Sequence, residues 1–154
     1  MANSWVCVDA GLVVKLVVEE SYSQEARTLW RIWQKEGYEI AAPSLLRYEV
    51  ASVLRKQVMR HLRTMSENRY ALELVLAFDI QYLEPVNFHQ RAFALANQLG
   101  RPAAYDTHYL ALAEHLACDF WTADERLVNA VQSTFSWVKW LGQMESPPPE
   151  LQRT

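Results

Sequence analysis

Short apolar segments alternate with longer amphipathic segments along most of this chain. The short segments are rich in β-branched and aromatic residues, which predicts buried strands. They lie at 5–11, 38–43, 80–86, 118–122 and 136–141. The longer segments repeat apolar residues at helical spacing, which predicts helices. These lie at 12–20, 23–37, 43–62, 66–79, 87–100, 107–117 and 124–132. Strands that alternate with helices favour a mostly parallel sheet covered on both faces.

Polar residues and one glycine mark the predicted helix ends. Ser23, Ser66, Asn87 and Asp106 stand where their side chains can cap the first turn of a helix. Gly37 stands where the second predicted helix ends.

The length of 154 residues favours one domain. No repeat or linker divides the chain, so we predict a single domain over 1–142. The polar, proline-rich end at 143–154 is predicted to be a flexible tail.

The overall charge excludes bulk electrostatic attraction to nucleic acid or anionic membranes. The net charge is −3, so binding to RNA would need a local basic patch. No charged leader precedes the first apolar run, and no run is long enough to span a bilayer. We therefore expect a cytoplasmic protein without a signal peptide and without membrane contact.

Several familiar kinds of site are missing from the sequence. The turn after the first predicted strand lacks the glycine patterns of dinucleotide and P-loop sites, and no G-x-S-x-G elbow is present. The four histidines do not follow a zinc pattern. Cys7 and Cys118 lie in apolar runs and are predicted to be buried free thiols.

Acidic residues are the remaining candidates for chemistry. Asp9 ends the first predicted strand, Asp124 follows the strand at 118–122, and Asp106 begins the helix that leads into that strand. In a parallel sheet, ligands bind outside the carboxyl ends of the strands. Glu49 lies inside an apolar stretch of the helix at 43–62. Two carboxylates about 5 Å apart repel by roughly 3 kcal/mol at an effective dielectric near 20, and a hard divalent ion such as Mg²⁺ would offset this repulsion.

Each acid also has a purely structural interpretation. Asp106 and Asp124 are suitable helix caps, Asp9 can simply close a strand, and Glu49 can face solvent beside Arg47. Spacing alone therefore predicts only a possible metal site.

Three segments, and the order in which they occur, resemble the PIN-domain ribonucleases, particularly the VapC-type toxins of toxin–antitoxin pairs. They are "VCVDAGLVVKLVVEE", "APSLLRYEVASVLRK" and "AYDTHYLALAEHLACDFWTADERL". The last of these is the most specific, because an acid, a helix, a short strand and T-x-D follow one another. The resemblance implies a three-layer α/β/α sandwich with a central, mostly parallel sheet.

The same resemblance implies an acidic metal pocket for Mg²⁺ or Mn²⁺. Carried over by position, its catalytic and metal-binding residues are Asp9, Glu49, Asp106 and Asp124. Thr122 matches the hydroxyl residue of the T-x-D element. It is expected to support the metal-binding acids without binding the metal itself. Gly11 stands where the family usually has a hydroxyl residue.

The function implied is metal-dependent endoribonuclease activity, with a cognate antitoxin as partner and a homodimer as the assembly. A housekeeping RNA-processing nuclease and a non-catalytic PIN-like binding module are the alternatives. A basic run is either a solvated helix end or an RNA-binding surface. It comprises Arg55, Lys56, Arg60 and Arg63. Trp30 and Trp33 belong either to the core or to an interface.

Overall fold

The computed structural model describes residues 4–144. The described strands are β1 (Trp5–Val8), β2 (Glu39–Ala42), β3 (Ile80–Tyr82), β4 (Phe120–Thr122) and β5 (Val138–Trp140). The helices are α1 (Ala10–Val17), α2 (Ser23–Glu36), α3 (Leu45–Met59), α4 (Met65–Leu76), α5 (Phe88–Gln98), α6 (Tyr105–Leu116) and α7 (Glu125–Val131). A 3-10 turn follows at Leu141–Gln143.

The strands form one parallel sheet in the order β3-β2-β1-β4-β5. β1 is central, and the chain builds the sheet outward from it in both directions. The order therefore reverses between β1 and β4, where ligands of open α/β sheets characteristically bind. The pairing of Val8 with Trp121 brings the carboxyl end of β1 beside that of β4.

The helices complete the sandwich. α1 packs against α2, α3 and α4, while α5 packs against α6. The three-layer α/β/α fold with a central parallel sheet, predicted from the sequence, is confirmed. Trp30 and Trp33 are buried, so they belong to the core of the chain. Cys7 and Cys118 are buried free cysteines, as predicted.

Three of the predicted N-caps are wrong, because other residues take those positions. Tyr22, at a φ of 68°, is the N-cap of α2, while the Ser23 hydroxyl donates to the Val18 carbonyl at 3.0 Å. Thr64 caps α4, and it exchanges hydrogen bonds with Glu67 in a capping box. That reciprocal pair satisfies two backbone donors, which Ser66 inside the first turn does not do.

Asp106 is the third wrong cap. Ala104 is the N-cap residue of α6, so Asp106 lies within the first turn. Asn87 does occupy the N-cap position of α5, although its side chain makes no capping hydrogen bond.

Several strands in the structure are shorter than the sequence predicted. The strand expected at 118–122 begins at Phe120, because Ala117 ends α6 in a left-handed conformation with φ 51° and the chain must turn before pairing.

Within the described residues, no helix has both the length and the apolar character needed to cross a bilayer. The division into a domain over 1–142 and a tail over 143–154 stays a prediction, since only Gln143 and Met144 of that tail lie among the described residues.

Candidate active site

Asp9 lies where β1 ends and α1 begins, at the reversal of strand order. Its Oδ1 accepts the Leu12 N–H at 2.9 Å and so caps α1. Its Oδ2 accepts the Thr122 hydroxyl at 2.5 Å and the Ala123 N–H at 3.3 Å. Burial raises the pKa of Asp9 to about 6; the three hydrogen bonds lower it, and the nearby charge of Glu49 raises it further.

Thr122 connects Asp9 to Asp124. The Thr122 side chain is fully buried at the end of β4. Its hydroxyl donates to Asp9 and accepts the Asp124 N–H at 2.9 Å. The Asp124 carboxylate in turn accepts the Leu127 N–H at 3.2 Å and caps α7. The T-x-D element thus holds two aspartates at adjacent strand ends through one hydroxyl.

Glu49 approaches from α3 and is held by a residue that sequence reasoning missed. The Tyr109 hydroxyl donates to Glu49 Oε1 at 2.6 Å. Burial raises the pKa of Glu49, the bond from Tyr109 lowers it, and the charge of Asp106 raises it. The pKa of Tyr109 is raised by burial and by the surrounding carboxylates, so Tyr109 remains a donor. In the sequence, the only indication that Tyr109 belongs to the site is its position three residues after Asp106, which places both residues on one face of the same helix.

Asp106 has a cationic partner that the sequence reasoning also missed. Arg101 Nη2 donates to Asp106 Oδ2 at 2.9 Å, and both side chains are partly exposed. Asp106 nevertheless influences both Glu49 and Tyr109 electrostatically. Part of its charge is already compensated by the guanidinium.

The acids therefore meet as a linked series rather than as one tight cluster. The charge of Glu49 raises the pKa of Asp9, and the charge of Asp106 raises the pKa of Glu49. All three carboxylates raise the pKa of Tyr109. Asp124 is connected to Asp9 through the Thr122 hydroxyl. Across residues 4–144, no group of three or more His, Cys, Asp or Glu side chains stands close enough to hold a metal ion. The metal-binding roles of the four acids stay predictions.

An open cleft of about 680 Å³ borders two of these acids. Glu49 and Asp106 lie in its lining, together with Lys56 and Arg101. The cleft is therefore lined by both signs of charge, with carboxylates and cations within one cavity.

The predicted basic surface is divided. Lys56 lines the cleft, whereas Arg55 lines a separate groove between α3 and α4. Arg60 is exposed at the C-cap of α3. Arg63 is engaged by Asn68, to which its Nε donates at 2.5 Å. The role of these residues in binding RNA stays a prediction.

Gly11 faces the candidate site from the first turn of α1. A Cβ at this position would lie 3.7 Å from Asp9 Oδ1 and 3.1 Å from the Cβ of Ala123. A side chain here would therefore sit beside the Asp9 carboxylate, in tight contact with Ala123.

The amino-acid sequence of the chain matches one protein family and several named relatives. The family model of the PIN domain matches residues 6–131. That match begins in β1 and ends in α7, and so includes every candidate acid.

Named relatives agree with that match. The chain is 33% identical over 91 residues to the VapC ribonuclease Mb0985 of Mycobacterium bovis, which covers 59% of this chain and 69% of the relative. The same identity and coverage relate it to ribonuclease VapC9 of Mycobacterium tuberculosis, in the strains CDC 1551 / Oshkosh and ATCC 25618 / H37Rv.

Proposed function

This chain belongs to the PIN-domain family, and from that premise we propose that it is a metal-dependent endoribonuclease, the toxin of a toxin–antitoxin pair. The observation that carries the proposal is the partly buried Asp9 at the reversal of strand order, joined through Thr122 to Asp124. A carboxylate with its pKa raised to about 6 by burial gains from a cation brought beside it. The similar relatives named as ribonucleases support the same assignment.

The donor set fits a hard divalent ion in its chemistry. Mg²⁺ and Mn²⁺ prefer oxygen ligands, and Mg²⁺ usually retains several waters. Retained waters would allow carboxylates that do not touch one another to share an ion. We assign Asp9, Asp106 and Asp124 to hold the ion directly or through water, with Glu49 completing the shell or orienting the attacking water.

When bound, such an ion supplies charge neutralisation at the scissile phosphate and lowers the pKa of a water. The residues of the chain do the rest. Tyr109 holds Glu49 through a 2.6 Å hydrogen bond. Glu49, with its raised pKa, is a stronger base than an ordinary glutamate and can take a proton from the attacking water. The water oxygen becomes bonded to phosphorus as the P–O bond to the leaving oxygen breaks, and the leaving oxygen takes a proton from solvent, without a covalent enzyme intermediate.

Single-stranded RNA is the proposed substrate, and an antitoxin protein and a second copy of the chain are the proposed partners. A cytoplasmic location is part of the same proposal. RNA binding without cleavage would be recognised by the outcome of the following experiment, and RNA processing without an antitoxin by the absence of an antitoxin gene beside the gene of this protein.

The direct test uses a panel of RNAs with the wild-type protein in EDTA and in added Mg²⁺ or Mn²⁺. We expect cleavage only with the divalent ion. Asp9→Asn should abolish it, because the substitution removes the negative charge, while the amide oxygen can still cap α1 by accepting the Leu12 N–H. Asp79→Asn is the matched control. Asp79 is exposed and lies at the amino end of β3, whereas Asp9 lies at the carboxyl end of β1.

Retention of full metal-dependent cleavage by Asp9→Asn would refute the assignment of Asp9. RNA binding without cleavage under every metal condition would favour the non-catalytic module. Cleavage by a protein whose gene has no antitoxin neighbour would favour the housekeeping nuclease.

A further inference from the structure

Two strongly exposed tyrosines stand directly beside two of the candidate acids. The Tyr48 side chain is 72% exposed and precedes Glu49, while Tyr105 is 65% exposed and precedes Asp106. Both tyrosines line the 680 Å³ cleft. Large aromatic surfaces left in water at a cleft commonly mark a place where a ligand is bound.

The two walls of the cleft carry matching sets of groups. On α3, Tyr48 and Lys56 are eight residues apart and so share the helix face that lines the cleft, next to Glu49. Across the cleft, Tyr105 lies at the start of α6, and Arg101 precedes that helix. Each wall thus offers one aromatic ring, one cation and one carboxylate.

We propose that Tyr48 and Tyr105 stack on unpaired bases of single-stranded RNA on either side of the scissile phosphate, while Lys56 and Arg101 contact the flanking phosphates. This inference rests on the proposed nuclease function and assigns residues that read the substrate. Stacking platforms combined with cations are how proteins bind single-stranded nucleic acid with little sequence preference. Bases inside a duplex do not present their faces to such rings.

Arg101 suits a phosphate contact even though it is paired with Asp106. A guanidinium has five N–H donors in a planar fork, and the hydrogen bond to Asp106 uses one of them, from Nη2. The ion pair orients Arg101 in the cleft lining and leaves donors for a phosphate oxygen. Lys56 supplies a second positive charge from the opposite wall. A nucleic acid, with its regular alternation of base and phosphate, matches this alternation of ring and cation better than a protein segment does.

The test compares alanine and phenylalanine variants at both tyrosines. Tyr48→Ala and Tyr105→Ala should each weaken binding of a short single-stranded RNA by about 5- to 150-fold, the range for loss of one stacked base. We expect KM to rise accordingly while kcat changes little. Tyr48→Phe and Tyr105→Phe keep the ring and should retain near wild-type binding. Tyr70→Ala is the matched control, because Tyr70 is 67% exposed on α4 and does not line the cleft.

A spectroscopic measurement separates stacking from a general structural effect. RNA carrying 2-aminopurine at successive positions is bound to the wild-type protein in EDTA, so that cleavage does not interfere. Stacking on a tyrosine should change the fluorescence at particular positions. That change should disappear in the corresponding alanine variant and return in the phenylalanine variant.

The outcomes distinguish this inference from the nuclease proposal. If wild-type protein cleaves RNA and the alanine variants bind and cleave like Tyr70→Ala, the stacking role is overturned and the nuclease remains. If the fluorescence depends on the tyrosines but no metal supports cleavage, stacking stands and the nuclease falls. If the alanine variants lose only binding of an antitoxin protein, the cleft wall is a protein-docking surface and the inference is wrong.

Discussion

Among the candidate acids, Asp9 accepts the most hydrogen bonds and lies where burial most disfavours the ionised carboxylate. Its two oxygens accept three hydrogen bonds, from Leu12, Thr122 and Ala123, and all three favour the ionised form. Burial outweighs them, so the pKa of Asp9 rises to about 6. A carboxylate of this kind is stabilised by a proton at low pH and, on our proposal, by a metal ion at neutral pH.

Asp9 should make the free energy of unfolding depend on pH in the absence of divalent ions. Its pKa is raised in the folded state, so the folded protein binds the proton more tightly than the unfolded chain. The resulting stabilisation is fully present below about pH 4 and is lost as the pH rises through about 6. The full loss is about 3 kcal/mol, from a pKa difference of about 2 units between the folded and unfolded states. Urea unfolding in EDTA from pH 4 to 8 measures this loss.

Asp9→Asn supplies the comparison for this measurement. Asparagine is an equally good cap, so the variant should keep α1 and lose most of the pH dependence. A smaller dependence of the same sign should remain from Glu49, whose pKa is also raised. An unchanged pH profile in the variant would contradict the assignment to Asp9.

Thr122 offers a second test at the residue scale. Thr122→Val keeps the shape but removes the hydroxyl, leaving Asp9 without one donor and the Asp124 N–H without its acceptor. We expect the unfolding free energy to fall by about 1–3 kcal/mol and RNA cleavage to fall at least tenfold. Thr122→Ser retains the hydroxyl and should retain most of the cleavage. If Thr122→Val kept its cleavage and stability while Thr122→Ser lost them, measured by kcat and urea unfolding, the methyl group rather than the hydroxyl would matter.

At the scale of elements, α3 and α4 are joined by one buried polar side chain. The Asn68 amide donates to the Leu54 carbonyl at 2.7 Å and to Gln57 Oε1 at 3.1 Å, and its oxygen accepts from Arg63. This network explains why Arg63 is less available to RNA than the basic run suggests. It also holds in place the helix that carries Glu49 and Tyr48.

Asn68→Ala should therefore lower the free energy of unfolding by about 2–3 kcal/mol, because it leaves a buried carbonyl without its donor. Thr64→Ala removes only the exposed capping box of the same helix and should cost about 1 kcal/mol. Urea unfolding of both variants measures the difference. Cleavage by the folded protein should be unaffected by Thr64→Ala, and a loss at Asn68→Ala no larger than at Thr64→Ala would contradict the network.

At the scale of the whole molecule, the order of the strands decides which acids meet. β1 lies at the centre of the sheet, so Asp9 is beside β4 although more than a hundred residues separate them. The cleft between α3 and the start of α6 then adds Glu49 and Asp106. No single element carries the site.

Metal binding to such an assembled site should stabilise the folded state, because the unfolded chain does not bring the acids together. At a free ion concentration of 100 times Kd, the stabilisation is about 2.7 kcal/mol. We expect Mg²⁺ or Mn²⁺ to raise Tm for wild type and for Asp79→Asn, with a much smaller rise for Asp9→Asn. Thermal melts at constant ionic strength measure this. An identical rise in all three proteins would indicate nonspecific ion effects.

Local patterns predicted the elements well and their ends poorly. Alternation of apolar segments indicated the strands and helices, since periodicity depends only on near neighbours in sequence. The caps at Ser23 and Ser66 were wrong because Ser23 bonds back to Val18 and because Thr64 and Glu67 satisfy one another. Tyr22 and Ala104 hold the N-cap positions of α2 and α6 without a side-chain capping bond, so no capping preference in the sequence could have indicated them.

The sequence by itself determined the α/β class, the family and the identity of the candidate acids, because these follow from periodicity and from motifs within short stretches. Only the tertiary structure decided that Tyr109 holds Glu49 and that Arg101 is paired with Asp106. It also decided that Tyr48 and Tyr105 share one cleft. The physical reason is that such contacts depend on how helices pack on the sheet, and Tyr109 and Glu49 are 60 residues apart in the chain.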